Sequence, residues 1–325
     1  MHLRKEDCTM LTEKANAICL LDVLKEYSDA EHILPMRKII AKMQSLYGIK
    51  IDRRTVYGAV ALLIELGYDI SIYEDNGVGY YLRSRELEQS EVLLLTDAVY
   101  SFPFIPAKQT EQLVQKLQKQ LSVHQRKRYR YLTIARQDRK TDNRQVFWNI
   151  EQLDEAIEQK KKVRLSYLHY GLDKKQHKTS TYTLSPFEMV YMNERYYLIC
   201  VPDHDPQTRL YRIDRMRDIQ ILDELRCETN AVRQEAQDAV YAHVGRPERI
   251  VMYCDLAILD DVIDRFGTDI QLCERDENTF TVSFTAPPRG IKFWALQYLP
   301  YVEIIEPAWL QEEVIESIRK NRYLR

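Results

Sequence analysis

A chain of 325 residues with 45% hydrophobic side chains is long enough for two or three globular domains, and no apolar run in it approaches the length of a membrane span. A formal net charge of -2 excludes a global basic field, so any nucleic-acid surface has to be built from local charge. Nine glycines leave little room for a phosphate loop or a Rossmann pattern, and neither is present, nor is a nucleophile elbow or an H-E-x-x-H pair, so an enzyme is the weakest class and no cofactor is expected.

The cysteines, Cys8, Cys19, Cys200, Cys227, Cys254 and Cys273, are scattered, with no C-x-x-C pair and no histidine at ligand spacing, which implies reduced thiols. The opening MHLRKEDCTM lacks the apolar core of a signal peptide, and the expected location is the cytoplasm.

In chain order, the spacing of Ile18, Leu21 and Leu24 predicts a helix over 12–27. Pro35 suits the first turn of a second helix, with Ile39, Ile40, Met43 and Leu46 as its apolar positions and Gly48 as a left-handed stop. After a short link, Asp52 is a good N-cap for a third helix over 53–66. Val56, Val60, Leu63 and Leu66 give that helix a core face, while Arg54 falls opposite, with Arg53 and Tyr57 near the boundary. Two helices joined by a short Gly-containing turn are a helix-turn-helix signature, and base and phosphate contacts come from the start of the second of them. Residues 68–73 and 80–83 then read as strands of a hairpin turning at Asn76-Gly77, which completes a winged helix. This head carries as many Asp and Glu as Lys and Arg. Its case for DNA rests on the placement of Arg53, Arg54, Arg83 and Arg85; a winged helix used for protein contacts is the alternative.

Two further helices, 90–100 and 107–121, flank a Phe-Pro-Phe-Ile-Pro break that cannot be regular helix. The run from Lys116 to Lys140 is strongly basic, with Tyr129 and Tyr131 interleaved, and reads either as a nucleic-acid surface or as a solvated linker. A helix over 149–160 carries Ile150, Leu153 and Ile157 and feeds an alternating strand, 163–170. A basic loop over 171–180, a strand at 181–184 and strands at 195–201 and 211–216 follow. Arg209, Arg212 and Arg215 crowd into a short run at the last of these and just before it, suiting either an anion-binding face or ion pairs with Asp203, Asp205 and Asp214; they cannot all face one side without a bulge. In the turn Pro202-Asp203-His204-Asp205, the three potential ligands read as a polar turn without partners elsewhere, and no metal is expected. Residues 223–244 read as largely helical, and the remainder follows the order β-α-β-β-α-β with a closing helix, a ferredoxin-like split unit.

Pro186, the triplet Tyr196-Tyr197-Leu198 and the run from Tyr211 to Met216 resemble the WYL domain of bacterial transcription regulators, with Tyr196 standing where the family name puts Trp. Arg53-Arg54-Thr55-Val56-Tyr57 resembles the opening of the recognition helix in such regulators, although Gly58 and Ala59 occupy a turn where relatives often carry charge. Phe266-Gly267, Phe293-Trp294 and the exit at Ile304-Ile305-Glu306-Pro307 resemble the C-terminal extension that often follows WYL domains and helps build their dimer; Phe293 and Trp294 read as core or interface.

The resemblance implies an α+β multidomain protein: a winged helix-turn-helix head (1–85), a helical linker (86–142), a WYL Sm-like β-barrel (143–225) and a ferredoxin-like dimerisation domain (226–325). It implies a regulator that binds an operator as a homodimer through Arg53, Arg54, Thr55, Tyr57 and Arg83. At its barrel such a protein senses an anionic ligand, a nucleotide or single-stranded nucleic acid, through Tyr167, His169, Ser185, Tyr197, Arg209, Arg212 and Arg215. The alternative is an accessory protein that holds nucleic acid with its barrel and basic linker without operator specificity.

Overall fold

The computed structural model of the protein describes residues 15–127, 140–228 and 246–324, and the chain divides into two compact units, Met1–Asp142 and Asn143–Arg325. The first unit opens with helices α1 (Asn16–Tyr27), α2 (Met36–Tyr47) and α3 (Arg53–Glu65). Their buried faces (Leu20, Val23 and Leu24; Ile39 and Met43; Val56, Val60 and Leu63) form one core. Pro35 precedes α2 in an extended conformation, and Gly48 ends it at φ 70°, a left-handed cap that costs glycine nothing.

Strands β1 (Ile70–Ser71) and β2 (Tyr81–Leu82) pair antiparallel and close that core with Ile70, Tyr80 and Leu82. Between them the expected tight Asn-Gly hairpin is replaced by one helical turn, α4 (Tyr73–Asn76), stopped by Gly77 at φ 67°. Asn76 is the reason. Its amide donates to the carbonyls of Ile72 (2.8 Å) and Gly79 (3.0 Å), and its oxygen accepts from the backbone of Val78 (2.7 Å) and Gly79 (2.9 Å). Gly79 then passes so close to the chain at Leu34 that a Cβ there would lie 2.2 Å from the Leu34 carbonyl oxygen, and this approach lets Leu34 and Tyr80 exchange backbone hydrogen bonds of 2.9 Å.

Helices α5 (Gln89–Ser101), α6 (Ala107–Gln118) and α7 (Val123–Lys127) complete this unit. Polar groups join them to the head. Arg85 donates to the carbonyls of Ser28 (2.7 Å) and Gln120 (3.1 Å), buried Asp29 accepts from Ser122 (2.5 Å), Arg126 pairs with Glu26, and the rings of His32 and His124 stack at 3.7 Å. Of the basic run read from Lys116 to Lys140, residues 128–139, with Tyr129 and Tyr131, lie outside the described residues.

In the second unit, α8 (Val146–Glu158) packs Leu153 and Ala156 against an antiparallel sheet of order β6-β5-β4-β3-β7. Its strands are β3 (Lys161–Tyr170), β4 (Gln176–Met192), β5 (Arg195–Pro202), β6 (Arg209–Arg212) and β7 (Met216–Leu225). Strand β4 begins earlier than expected, because Gln176, His177 and Lys178 pair with Tyr170, His169 and Leu168. The strand expected through Met216 instead breaks after Arg212 into a 3₁₀ turn, Ile213–Arg215. Ile213 and Met216 are both fully buried, and a spacing of three on one face is what a 3₁₀ turn supplies and a strand cannot. Residues 223–225, expected in a helix, end strand β7, and most of that expected helix lies outside the described residues.

The C-terminal part contains β8 (Glu248–Asp255), α9 (Leu259–Phe266), β9 (Gln271–Asp276), β10 (Thr279–Ala286), α10 (Pro288–Gln297), β11 (Val302–Glu306) and α11 (Ala308–Arg319). The sheet order is β11-β8-β10-β9, all antiparallel. Alternation in β8 turns Ile250, Met252 and Cys254 inward against Trp294, whose ring meets Phe266 edge-on at 5.0 Å, whereas neighbouring Phe293 is exposed.

Candidate functional site

Strand register decides which arginines can meet. In the β5–β6 pair, Tyr197 lies opposite Arg212, Leu198 opposite Tyr211, and Cys200 opposite Arg209. Alternation therefore puts Arg195, Tyr197 and Arg212 on one face, and Leu198, Cys200, Tyr211 and Arg209 on the other. Leu198 and Cys200 belong to the main core of the sheet, with Tyr211 packed against it. Arg209, on that second face, is spent locally: its Nε and Nη2 donate to Asp205 at 2.8 and 2.5 Å.

On the first face the chain folds back through the 3₁₀ turn. Arg212 donates twice to Asp214, Nε to Oδ1 at 3.0 Å and Nη2 to Oδ2 at 2.7 Å, in the parallel geometry a guanidinium favours with a carboxylate. Asp214 is 1% exposed, so this is a buried pair. Burial works against the Arg212 charge, yet the bonds to Asp214 hold its pKa above the ordinary value. The backbone N–H of Arg212 donates to the hydroxyl of Tyr167 at 3.2 Å.

Arg195 and Arg215 have no such carboxylate. Neither forms an ion pair among the described residues, and the Nε of Arg215 is buried without a hydrogen-bond partner. The Arg215 guanidinium sits 5.8 Å from the ring centre of Tyr170. The pKa of Arg195 is pushed down, first by burial and next by the charge of Arg212. Asp214, Tyr197 and Tyr170 also act on Arg195, so these side chains share one electrostatic neighbourhood. Arg195, Arg212 and Arg215 thus gather about Tyr170 and a single committed carboxylate as a cationic, partly desolvated cluster with aromatic rings beside it, which is the chemistry of an anion site.

The remaining expected ligand residues are placed as follows. Tyr167 is 7% exposed and meets Tyr182 and Tyr211 edge-on, so its hydroxyl reaches the site and its ring belongs to the core. His169 is exposed with its ring edge-on to Tyr167 at 5.3 Å. Ser185 is buried and accepts from the backbone N–H of Cys227 at 3.1 Å. Arg195 and Tyr170 were not among the residues expected. The alternation that singles out Tyr197 also marks Arg195, two positions earlier, whereas Tyr170 is brought in by the turn at Arg215. Asp203 is bound by Lys162 at 3.1 Å and His204 lies over Tyr182 at 5.4 Å. Among the described residues no three His, Cys, Asp or Glu side chains are grouped to hold a metal ion.

In the first unit, Arg53, Arg54, Thr55 and Tyr57 all lie exposed at the start of α3, Tyr57 by 53%. Asp52 caps the helix by accepting from the backbone N–H (2.8 Å) and the hydroxyl (2.6 Å) of Thr55, and these bonds pull its pKa below the usual carboxylate range. The Thr55 hydroxyl proton is thereby committed, while the two arginines hold exposed charge in the first turn of the helix. Arg83 bridges Asp69 (3.4 Å) and Asp75 (2.5 Å), and Arg85 is turned inward to two carbonyls.

Residues 149–221 match the WYL domain, and residues 246–320 match the WCX domain. Several solved structures are similar to the chain, two of them as follows. Proteasome accessory factor B/C (PafBC) of Arthrobacter aurescens shares 12% identity over 97% of this chain and 50% of that one, at a TM-score of 0.27. A protein described as CRISPR Cas-related shares 13% identity over 98% of this chain and 87% of that one, at a TM-score of 0.35. The chain thus spans about half the length of the PafBC chain. No curated protein matches the sequence.

Proposed function

From a chain that carries a WYL domain followed by a WCX domain, we propose a transcription regulator that binds operator DNA as a homodimer and answers to an anionic ligand. The role is binding rather than catalysis. Helices α1–α3 with strands β1 and β2 act as a winged helix-turn-helix, and α3 enters the major groove with Arg53, Arg54 and Tyr57 leading. Arg83, already bridging two carboxylates, steadies the wing and contributes less to phosphate binding. The WYL sheet closes as an Sm-like barrel and the C-terminal ferredoxin-like domain joins the two copies.

The observation that carries the sensory half is Arg215: a guanidinium whose buried Nε lacks a partner, beside the same Tyr170 as Arg195, which forms no ion pair among the described residues. A buried donor left unmet costs about 1–3 kcal/mol, and a ligand oxygen removes that cost when it arrives. Tyr170 and Tyr197 supply faces for a base, so the ligand class is a nucleotide or a short single strand. Selection on random duplexes, with and without a 5′-phosphorylated oligothymidylate, tests the reading. The expected result is one enriched inverted repeat whose binding shifts with the oligonucleotide. Binding without sequence enrichment would replace the regulator by a general nucleic-acid-binding accessory protein.

A further inference from the structure

The chain enters its second unit at Asn143, and this residue and Asn149 are both fully buried. Their amide nitrogens converge on one turn. Asn143 Nδ2 donates to the carbonyls of Asp214 (3.0 Å) and Met216 (2.7 Å), and Asn149 Nδ2 donates to those of Ile213 (3.3 Å) and Met216 (2.8 Å). Asn143 Oδ1 also accepts from the backbone of Gln145 at 3.0 Å, at the start of α8. A short 3₁₀ turn leaves carbonyls without internal partners, so a donor here is useful. Simple satisfaction does not explain the choice, however, because Asn149 Oδ1 is itself buried without a partner. An acceptor left unmet in the interior is a cost that a residue chosen for stability alone avoids. What the two carboxamides do accomplish is to fix the rotation of Ile213–Arg215, and that rotation sets where Asp214 and Arg215 point.

We propose that Asn143 and Asn149 are positioning residues for the anion site, and that through Asn143 the presentation of Arg215 depends on the path by which the linker joins this unit. The inference rests on the reading of Arg215 as a ligand contact. Coupling of this kind is reciprocal: a ligand that seizes Arg215 biases the turn, the turn biases Asn143, and Asn143 biases the chain leading back toward the DNA-binding unit.

The test is a thermodynamic cycle on the full chain, with a 5′-phosphorylated hexathymidylate as the probe and fluorescence anisotropy as the readout. Arg215→Ala and Asn143→Ala should each weaken probe binding about tenfold, and the double variant should be no more than about twofold weaker than Arg215→Ala, because nothing remains to be positioned. A merely structural asparagine gives losses that multiply. Multiplying losses, or Asn143→Ala binding like wild type while Arg215→Ala does not, overturns the inference and leaves the anion site standing. A wild-type chain blind to the probe, or Arg215→Ala binding as wild type does, sinks the anion site and this inference with it. If Asn143→Ala melts below the assay temperature, Asn149→Ser, which keeps one donor at the turn, takes its place in the same cycle under the same criteria.

Discussion

Removing Arg212 and removing Arg215, three positions apart on the same turn, should have opposite consequences. Arg212→Ala strands Asp214, a carboxylate with 1% exposure whose two oxygens both lose the donors that the guanidinium supplied. Breaking a buried pair from one side costs about 3–5 kcal/mol, because the remaining charge is desolvated and has lost its hydrogen-bonded partner. For a unit of this size, about 2–4 °C of melting temperature goes with each kcal/mol, which places the expected drop between about 6 and 20 °C. Arg215→Ala removes a donor already orphaned. The packing lost with its aliphatic stem is offset by relief of that unmet group, and the net change should stay within about 1 kcal/mol. Arg212→Ala combined with Asp214→Ala should recover most of the loss, since the stranded charge is then gone. Thermal and urea melting of the three variants and the wild type, scored on the same baseline, settles the matter. A loss for Arg215→Ala as large as that for Arg212→Ala, or a loss for Arg212→Ala under about 1 kcal/mol, would refute the division into one structural and one receptive arginine.

Arg53→Ala and Arg54→Ala should each weaken operator binding by about 1–3 kcal/mol where the side chain grips a guanine edge, and should instead flatten the salt dependence by about one unit where it meets only phosphate. Salt titrations on the selected operator distinguish the two, and unchanged affinity in both variants removes α3 as the reading helix. Gly79→Ala should destabilise the first unit, since its methyl group would meet the Leu34 backbone at 2.2 Å; circular dichroism melting within error of wild type would contradict the close approach. His124 is held below the ordinary histidine value of 6.5, first by burial and then by the stacked His32. The unfolded chain therefore takes up the proton at higher pH than the folded one, so stability should be full above about pH 6.5 and fall as the pH drops below it. His124→Asn should flatten the melting temperature between pH 7.5 and 5.5, and an unaltered slope would locate the acid sensitivity elsewhere.

Where local signals were strong, sequence and structure agree closely: Asp52 caps α3, Gly48 stops α2, and the Pro-rich break separates α5 from α6. The Asn76-Gly77 pair shows the limit of a dipeptide rule. Gly77 does take a positive φ, but Asn76 has enough neighbouring carbonyls and amides to build a helical turn in place of a two-residue hairpin. The arginine cluster was visible as composition, and its sorting was not. Whether Arg212 or Arg215 is paired depends on a 3₁₀ turn whose trace in the sequence is the spacing of Ile213 and Met216. Arg195 was legible from alternation alone. The Asn143–Asn149 clamp was not, because it joins residues more than 60 positions apart in the chain.

Arg85 lies where a wing would offer a phosphate contact, yet it ties the end of α1 to the end of α6 through two main-chain oxygens, with the Asp29–Ser122 bond alongside. A saw cut at residue 85 therefore severs a joint instead of a tether. For anyone grafting this part of the chain onto a foreign partner, the transplantable module is the whole first unit through Asp142, and a graft that stops at residue 85 arrives with Asp29 lacking its Ser122 donor and Arg85 lacking the Gln120 carbonyl.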